Sequence, residues 1–232
     1  MAFNHLDRLT WAAASVAPVR QALGIVHKAL LNPINRVRHA SKQTRCLEIG
    51  PGRVRIPGYE TANIVWTPIT DYVCNSSKRL PFRAETFNSV YASHILEHIP
   101  WYMAANTLKE WCRIIKPGGT LELWVPDGEK ICRAFLDAEN CESDEFQNDG
   151  WFKFNDDEDP AIWANGRIFS YGDGKGTLGH QNWHLALHNE RLLTKLLAEA
   201  GFHSVEKMQS DEVRGYDHGW INLGIRAQKP LR

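Results

Sequence analysis

The residues best placed to do chemistry are Glu48, in Leu47-Glu48-Ile49-Gly50-Pro51-Gly52, and the polar run Ser93-His94-Ile95-Leu96-Glu97-His98. The first stretch follows Arg45-Cys46 and reads as a short apolar strand ending in an acid and a tight glycine turn. Glycine has no side chain, so such a turn lets a ligand lie against bare backbone. A carboxylate at the strand end suits a ligand with a cationic or hydroxyl-bearing part and repels a pyrophosphate. The dinucleotide pattern G-x-G-x-x-G is met only in part, because Arg55 stands where the third glycine belongs. A glycine turn with no ligand is the plain alternative. Glu97 and His98 have two readings of equal weight, a direct role in a site or a brace that hydrogen-bonds the loop backbone. His180, His184 and His188 recur every four residues, a spacing that on a helix would put them on one face. Asn189 reads as the start of the next helix, however, so the three histidines precede it. With no cysteine or carboxylate cluster beside them, no metal is expected.

The elements that must hold these residues follow from periodicity. Strands are expected at about 45–49, 59–65, 69–74, 89–92 and 120–125, with two further strands near 204–208 and 220–227 as antiparallel neighbours at one sheet edge. Parallel strands need a crossover of about a dozen residues, so the short Gly50–Gly58 connection leaves room for one helical turn at most. Pro100 opens a helix on which Ala104, Leu108, Trp111 and Ile115 share a face, stopped by Pro117-Gly118-Gly119. Asn189 caps a second helix carrying Leu192, Leu193, Leu196 and Leu197, and Gly201 ends it. Residues 3–39 read as one or two amphipathic helices broken near Asn32-Pro33, with Leu23, Val26, Leu30 and Leu31 in a stripe among basic residues. Packing over the sheet edge or the ligand cleft is the main reading of that stripe, and peripheral membrane contact the lesser one. Residues 137–179 read as irregular, with the acidic run Asp156–Asp159 as solvated surface, and are taken as a substrate-side insertion.

Composition narrows the field. Lys plus Arg and Asp plus Glu are each 27, so the formal charge is zero, which argues against a nucleic-acid partner. The five cysteines form no C-x-x-C pair, which excludes a zinc ribbon and a disulfide framework and fits reduced thiols in the cytoplasm. No apolar run reaches the length of a membrane span. The apolar stretch around Trp11–Ala17 is short and preceded by Asp7, so no signal peptide is expected.

Three blocks occur in order: Leu47-Glu48-Ile49-Gly50-Pro51-Gly52; Leu80-Pro81-Phe82 leading into Ala92-Ser93-His94-Ile95-Leu96-Glu97-His98; and Ile115-Lys116-Pro117-Gly118-Gly119 followed by Val125-Pro126-Asp127. In this order and spacing they resemble class I S-adenosylmethionine-dependent methyltransferases, in particular the small bacterial branch of the type 11 group. The resemblance covers about residues 45–128 and returns at His184 and Leu192–Phe202. It implies an α/β, Rossmann-like fold: a seven-stranded, mostly parallel sheet with an antiparallel edge strand and helices on both faces. It also implies an N-terminal helical segment at 1–40 and a catalytic domain at 41–232 with the insertion at about 137–179. S-adenosylmethionine would lie along Glu48, Gly50 and Gly52, with Ser93 and His94 beside it. The family's ribose acid aligns with Asn63, and a second family acid with Asn75; asparagine still accepts a hydrogen bond but without charge assistance. Candidate bases for a hydroxyl acceptor are His98, Asp127 and His184, and the sequence does not choose among them. The acceptor implied is a small molecule or a glycan, such as a sugar hydroxyl in surface-polysaccharide synthesis. A non-catalytic nucleoside-binding or assembly module on the same fold is the alternative that Asn63 and Asn75 favour.

Overall fold

The computed structural model describes Thr10 and residues 15–140 and 153–231. Its centre is a seven-stranded sheet in the order β3-β2-β1-β4-β5-β7-β6. The strands are β1 (Cys46–Ile49), β2 (Tyr59–Asn63), β3 (Tyr72–Val73), β4 (Phe87–Ser93), β5 (Ile115–Pro126), β6 (His203–Lys207) and β7 (Asn222–Gln228). All pairings from β3 to β5 are parallel. β7 runs antiparallel to both β5 and β6, so it is the antiparallel member of the terminal pair at that edge. The chain moves outward from β1 to β2 and β3, then returns to β4 on the other side of β1. A crevice forms where the order reverses, at the carboxyl ends of β1 and β4. The arrangement is the Rossmann-like one.

α3 (Ala104–Ile114) and α6 (Glu190–Glu199) pack on one face of the sheet. Leu108, Trp111, Leu193 and Leu197 meet Leu47, Val90, Leu121 and Leu123 there in the main core. Trp111 is fully buried, and its indole N–H donates to the Ser76 carbonyl at 3.0 Å. The second face carries a smaller cluster of Ile56, Tyr91, Trp124 and Met208. No described helix follows the glycine turn; residues 50–58 run straight into β2.

The N-terminal segment is α1 (Ala17–Val26), a π-helical turn (His27–Leu31) and α2 (Asn32–Ala40), joined without a gap. The expected break at Asn32-Pro33 is instead a widened turn. Proline lacks the N–H that would bond four residues back, and the π turn absorbs that loss. The segment lies along β3. Asn32 Nδ2 donates to the Val73 carbonyl and its Oδ1 accepts the Val73 N–H, both at 3.0 Å. His27 and Asn35 both reach the Asp71 carbonyl.

The described residues within 137–179 are more ordered than their composition suggests. α4 (Gly128–Glu139) extends into them, and α5 (Pro160–Phe169) forms within them. The reason is a cap: Asp159 accepts the N–H groups of Ala161 and Ile162, and Pro160 opens the helix. The last member of the acidic run is thus a helix start. Ile131, Ala134 and Trp163 form a separate cluster here, and Trp163 stacks on Trp220. Residues 141–152 of this stretch lie outside the described residues. No described helix is long and apolar enough to cross a membrane.

Candidate active site

A cleft of about 1100 Å³ opens at the carboxyl ends of β1 and β4. On the β1 side, Gly50 has φ +73°, a left-handed conformation that favours glycine. Its N–H donates to the Ala62 carbonyl at 2.8 Å, and a Cβ there would collide with the Ile95 side chain. Gly52 differs: no heavy atom lies within 4 Å of where its Cβ would stand, and it lines the cleft. Glu48 is 5 % exposed and takes a long hydrogen bond of 3.4 Å from the Ile56 N–H. Burial pushes its carboxyl above the ordinary range, against the pull of that bond and of Arg55 and Arg214.

On the β4 side a histidine cluster surrounds one buried carboxylate. His94 adopts φ +52°, a strained conformation for a non-glycine residue at the turn after β4. Its Nε2 lies 2.9 Å from Asn222 Oδ1. Asn222 Nδ2 donates to Asp217 at 2.6 Å, so the amide oxygen faces the imidazole and His94 carries a proton on Nε2. His94 also stacks on His218, with ring centroids 3.6 Å apart. Its Nδ1 approaches Glu97 Oε1 at 3.3 Å, an ion-pair distance without hydrogen-bond alignment.

Glu97 is 1 % exposed. Burial works to raise its pKa, but His94, with His98 and His184 beyond, holds it down to about 2. Burial pushes His184 down to about 4, with Glu97 pulling the other way. His218 is also pushed down to about 4, by burial and by its neighbour His94. His98 and His184 meet edge to face, with centroids 4.9 Å apart.

Of the residues singled out in the sequence, Glu48, Gly50, Gly52, Ser93, His94, His98 and His184 line this cleft together. Five others stand elsewhere. Asp127 is buried and caps α4, accepting the N–H groups of Glu129 and Lys130. Asn63 ends β2, next to Ala62, whose carbonyl holds the Gly50 turn. Asn75 folds on itself, its Oδ1 accepting from the Ser77 N–H and hydroxyl. His180 is outside the lining, and His188 is buried with its backbone bridged to Asp127.

Sequence reasoning missed the far wall: Arg167 and Ser170 at the end of α5, and Arg214, Tyr216, Asp217 and His218 from the β6–β7 connection. That connection folds over the second sheet face because Arg214 hydrogen-bonds Tyr59 and Tyr91 and pairs with Glu122. These contacts span 92 residues of chain or more, and no local pattern announces them. A second hollow, of about 890 Å³, lies between α2 and Arg79–Arg83. It sits by Arg45 at the amino end of β1, the wrong edge of the sheet for the crevice.

Residues 29–123 match the family described as "Methyltransferase domain". This segment is a methyltransferase domain, which makes the chain an enzyme. S-adenosylmethionine is its cofactor. No curated protein matches the sequence significantly. Similar solved structures include a methyltransferase of Thermotoga maritima described as a possible histamine N-methyltransferase, with 18% identity over 89% of this chain and 92% of that one, TM-score 0.45. Another is the 1,6-didemethyltoxoflavin N1-methyltransferase of Burkholderia thailandensis, solved with that compound and S-adenosylhomocysteine, with 13% identity over 99% and 92% of the two chains, TM-score 0.46. A third is an S-adenosylmethionine-dependent methyltransferase of Archaeoglobus fulgidus, with 13% identity over 89% and 94%, TM-score 0.47.

Proposed function

We propose that the chain works in the cytoplasm and moves a methyl group from S-adenosylmethionine to a small-molecule or glycan acceptor, in its narrowest form a sugar hydroxyl. The observation that carries this reading is the cleft at the β1/β4 reversal, with the bare Gly52 beside the buried Glu48. A ligand with an ammonium end and a ribose can lie against that backbone. Asn63, at the end of β2, is its proposed neutral acceptor, whereas the Asn75 side chain is taken up by Ser77. A hydroxyl-rich acceptor suits a lining that includes the polar residues Arg167, Ser170, Asn182 and Asp217.

The reaction is an in-line displacement. The acceptor oxygen attacks the methyl carbon, an O–C bond forms, and the C–S bond breaks. Its electron pair returns to sulfur, so the sulfonium leaves as a neutral thioether. The acceptor's proton passes to a base. Much of the rate comes from holding the two reactants in line, and the base must be neutral beforehand. His184 meets that condition at neutral pH. His98 stands beside it, and Asp127 is the remaining candidate although its carboxylate is engaged in a cap.

Thermal shift tests the reading. S-adenosylmethionine and S-adenosylhomocysteine should each stabilise the protein, by about 2.7 kcal/mol at a hundredfold excess over Kd, and NAD should not. Radiolabelled methyl transfer to candidate sugars then separates an enzyme from the non-catalytic nucleoside-binding module that the neutral Asn63 and Asn75 favour. Stabilisation by neither methyl-donor ligand would overturn the proposal.

A further inference from the structure

We propose that Glu97, His98 and His184 form a binding site for one divalent transition-metal ion on the acceptor side of the cleft. The inference deepens the methyl-transfer reading and rests on it for what the ion would hold. Among the described residues these three bring one potential ligand atom each to within 4.8 Å of one another. Metal–ligand distances of about 2.0–2.2 Å put neighbouring ligand atoms roughly 3–4 Å apart. Side-chain movements of about 1 Å therefore close the site around an ion.

The hydrogen bonding around the three residues fits ligation. A metal-bound histidine nearly always gives its other ring N–H to a carbonyl or carboxylate, which fixes the tautomer and aims the free lone pair. His98 Nδ1 lies 3.2 Å from the Trp183 carbonyl, which leaves Nε2 free. The His184 ring also hydrogen-bonds the backbone of Arg167. Glu97 supplies the third group. Among the described residues neither of its buried carboxylate oxygens accepts a hydrogen bond. A buried carboxylate without such bonds is costly unless something else meets it, and His94 approaches only one oxygen.

The backbone holds the set in place. Glu97 and His98 share a single 3-10 turn, Leu96–His98. The Glu97 carbonyl accepts the N–H groups of Leu185 and Ala186 at 2.6 and 3.2 Å. The His184 N–H donates to Phe169 at 3.0 Å. The two segments bearing the ligands are thus tied to each other directly. All three residues also line the cleft.

The donor set decides the ion. Two imidazoles and one carboxylate suit zinc, iron(II), cobalt(II) or nickel(II), and suit magnesium or calcium poorly. Three protein ligands leave positions open, as in catalytic rather than structural sites. The open positions would take an acceptor oxygen, so the site selects an acceptor whose reacting hydroxyl can bind a metal. Ligation would acidify such a hydroxyl, so that its proton is lost to solvent before the oxygen attacks the methyl group, and in the loaded site His98 and His184 would serve as ligands instead of as the base. The four-residue spacing of His180, His184 and His188 suggests a metal only if the three share a helix, which they do not, and two of them take no part here. His184 finds its partners 86 and 87 residues earlier instead.

The test uses the full-length protein after chelator treatment. Co²⁺ is titrated by visible absorption and Zn²⁺ by calorimetry, and S-adenosylhomocysteine binding is measured on the same preparations. One Co²⁺ per chain should bind, with ligand-field bands. His98→Ala and His184→Ala should each weaken binding by at least about ten-fold, and His180→Ala should leave it unchanged. Zn²⁺ should raise the Tm of the wild-type protein, a readout that depends on no variant folding. Absence of saturable Co²⁺ or Zn²⁺ binding in protein that still binds S-adenosylhomocysteine overturns the metal site and leaves the methyl-transfer reading standing. So does metal binding that survives both cleft substitutions. Metal binding without S-adenosylhomocysteine binding upholds the site and removes the donor reading.

Discussion

Substituting the two glycines of the β1 turn should give opposite results, and the difference tests where the donor lies. At Gly50 a Cβ collides with Ile95 and the backbone is left-handed at φ +73°. Forcing a non-glycine residue into that region costs about 1–2 kcal/mol, and pushing Ile95 off its rotamer about 1 kcal/mol more. Gly50→Ala should therefore lose roughly 2–3 kcal/mol. For a chain of this size that is a Tm drop on the order of 5–10 °C, and donor affinity falls because the turn has moved. At Gly52 the new side chain meets nothing within 4 Å and projects into the cleft. Gly52→Val should keep Tm within about 2 °C, a stability change under about 1 kcal/mol. It should weaken S-adenosylhomocysteine at least about ten-fold, a loss of about 1.4 kcal/mol. The assay is differential scanning fluorimetry and calorimetry on both variants. A Gly52→Val protein that binds S-adenosylhomocysteine like the wild type would refute the assigned donor path. A Gly50→Ala protein of unchanged Tm would refute the steric reasoning.

Two further outcomes follow from other residues. Glu60 is buried and accepts two 2.8 Å bonds from Arg45 and one of 2.7 Å from Tyr72, with His39 Nδ1 at 2.9 Å. Burial works to raise its pKa, but these partners, Arg45 foremost, hold it below the ordinary value of 4.5. A lowered folded pKa means stabilisation present above 4.5 and lost as pH falls below it. Glu60→Gln should cost about 3 kcal/mol at pH 7 by leaving Arg45 unpaired, and thermal melts should show a flatter acid limb than the wild type; identical limbs would remove Glu60 from the account. Asn63→Asp should tighten S-adenosylhomocysteine about five-fold by restoring charge-assisted acceptance of the ribose hydroxyls; unchanged affinity by calorimetry would take Asn63 out of the donor site.

The sheet and the near wall of the cleft were legible in the sequence because they are local. Leu47 and Ile49 alternate with Glu48 and end at a glycine turn; Ala104, Leu108 and Trp111 recur at helical spacing; and Asn189 caps its helix as its side chain promised. What failed to show depends on tertiary contact. The third strand shrank to Tyr72–Val73, and the preceding residues turn through Thr67 and Thr70. Asp159-Pro160 was a helix start hidden in an acidic run. Glu97 looked like a loop brace. Its carbonyl does hold the loop, but its side chain sits among His94 and His98 of that loop and His184, brought from 87 residues further along the chain. The Arg214–His218 wall rests on Tyr59, Tyr91 and Glu122, whose outward-facing side chains carry no sign of what will cover them.

The side-chain amide of Asn32 turns one N–H and its carbonyl oxygen toward Val73, as a neighbouring peptide unit would, and meets both backbone groups there. A helix thereby stands in for an eighth strand. An exposed parallel border is a template on which another chain can add itself, and the cork in this one is only a few polar groups of the N-terminal segment. The matched family region begins at residue 29, inside that segment. A truncation drawn to that boundary would remove His27 and the helix that seats the cork. Cut there, the molecule would keep its catalytic cleft and gain a border open to self-association, so the N-terminal helix keeps the sheet finite as well as covered.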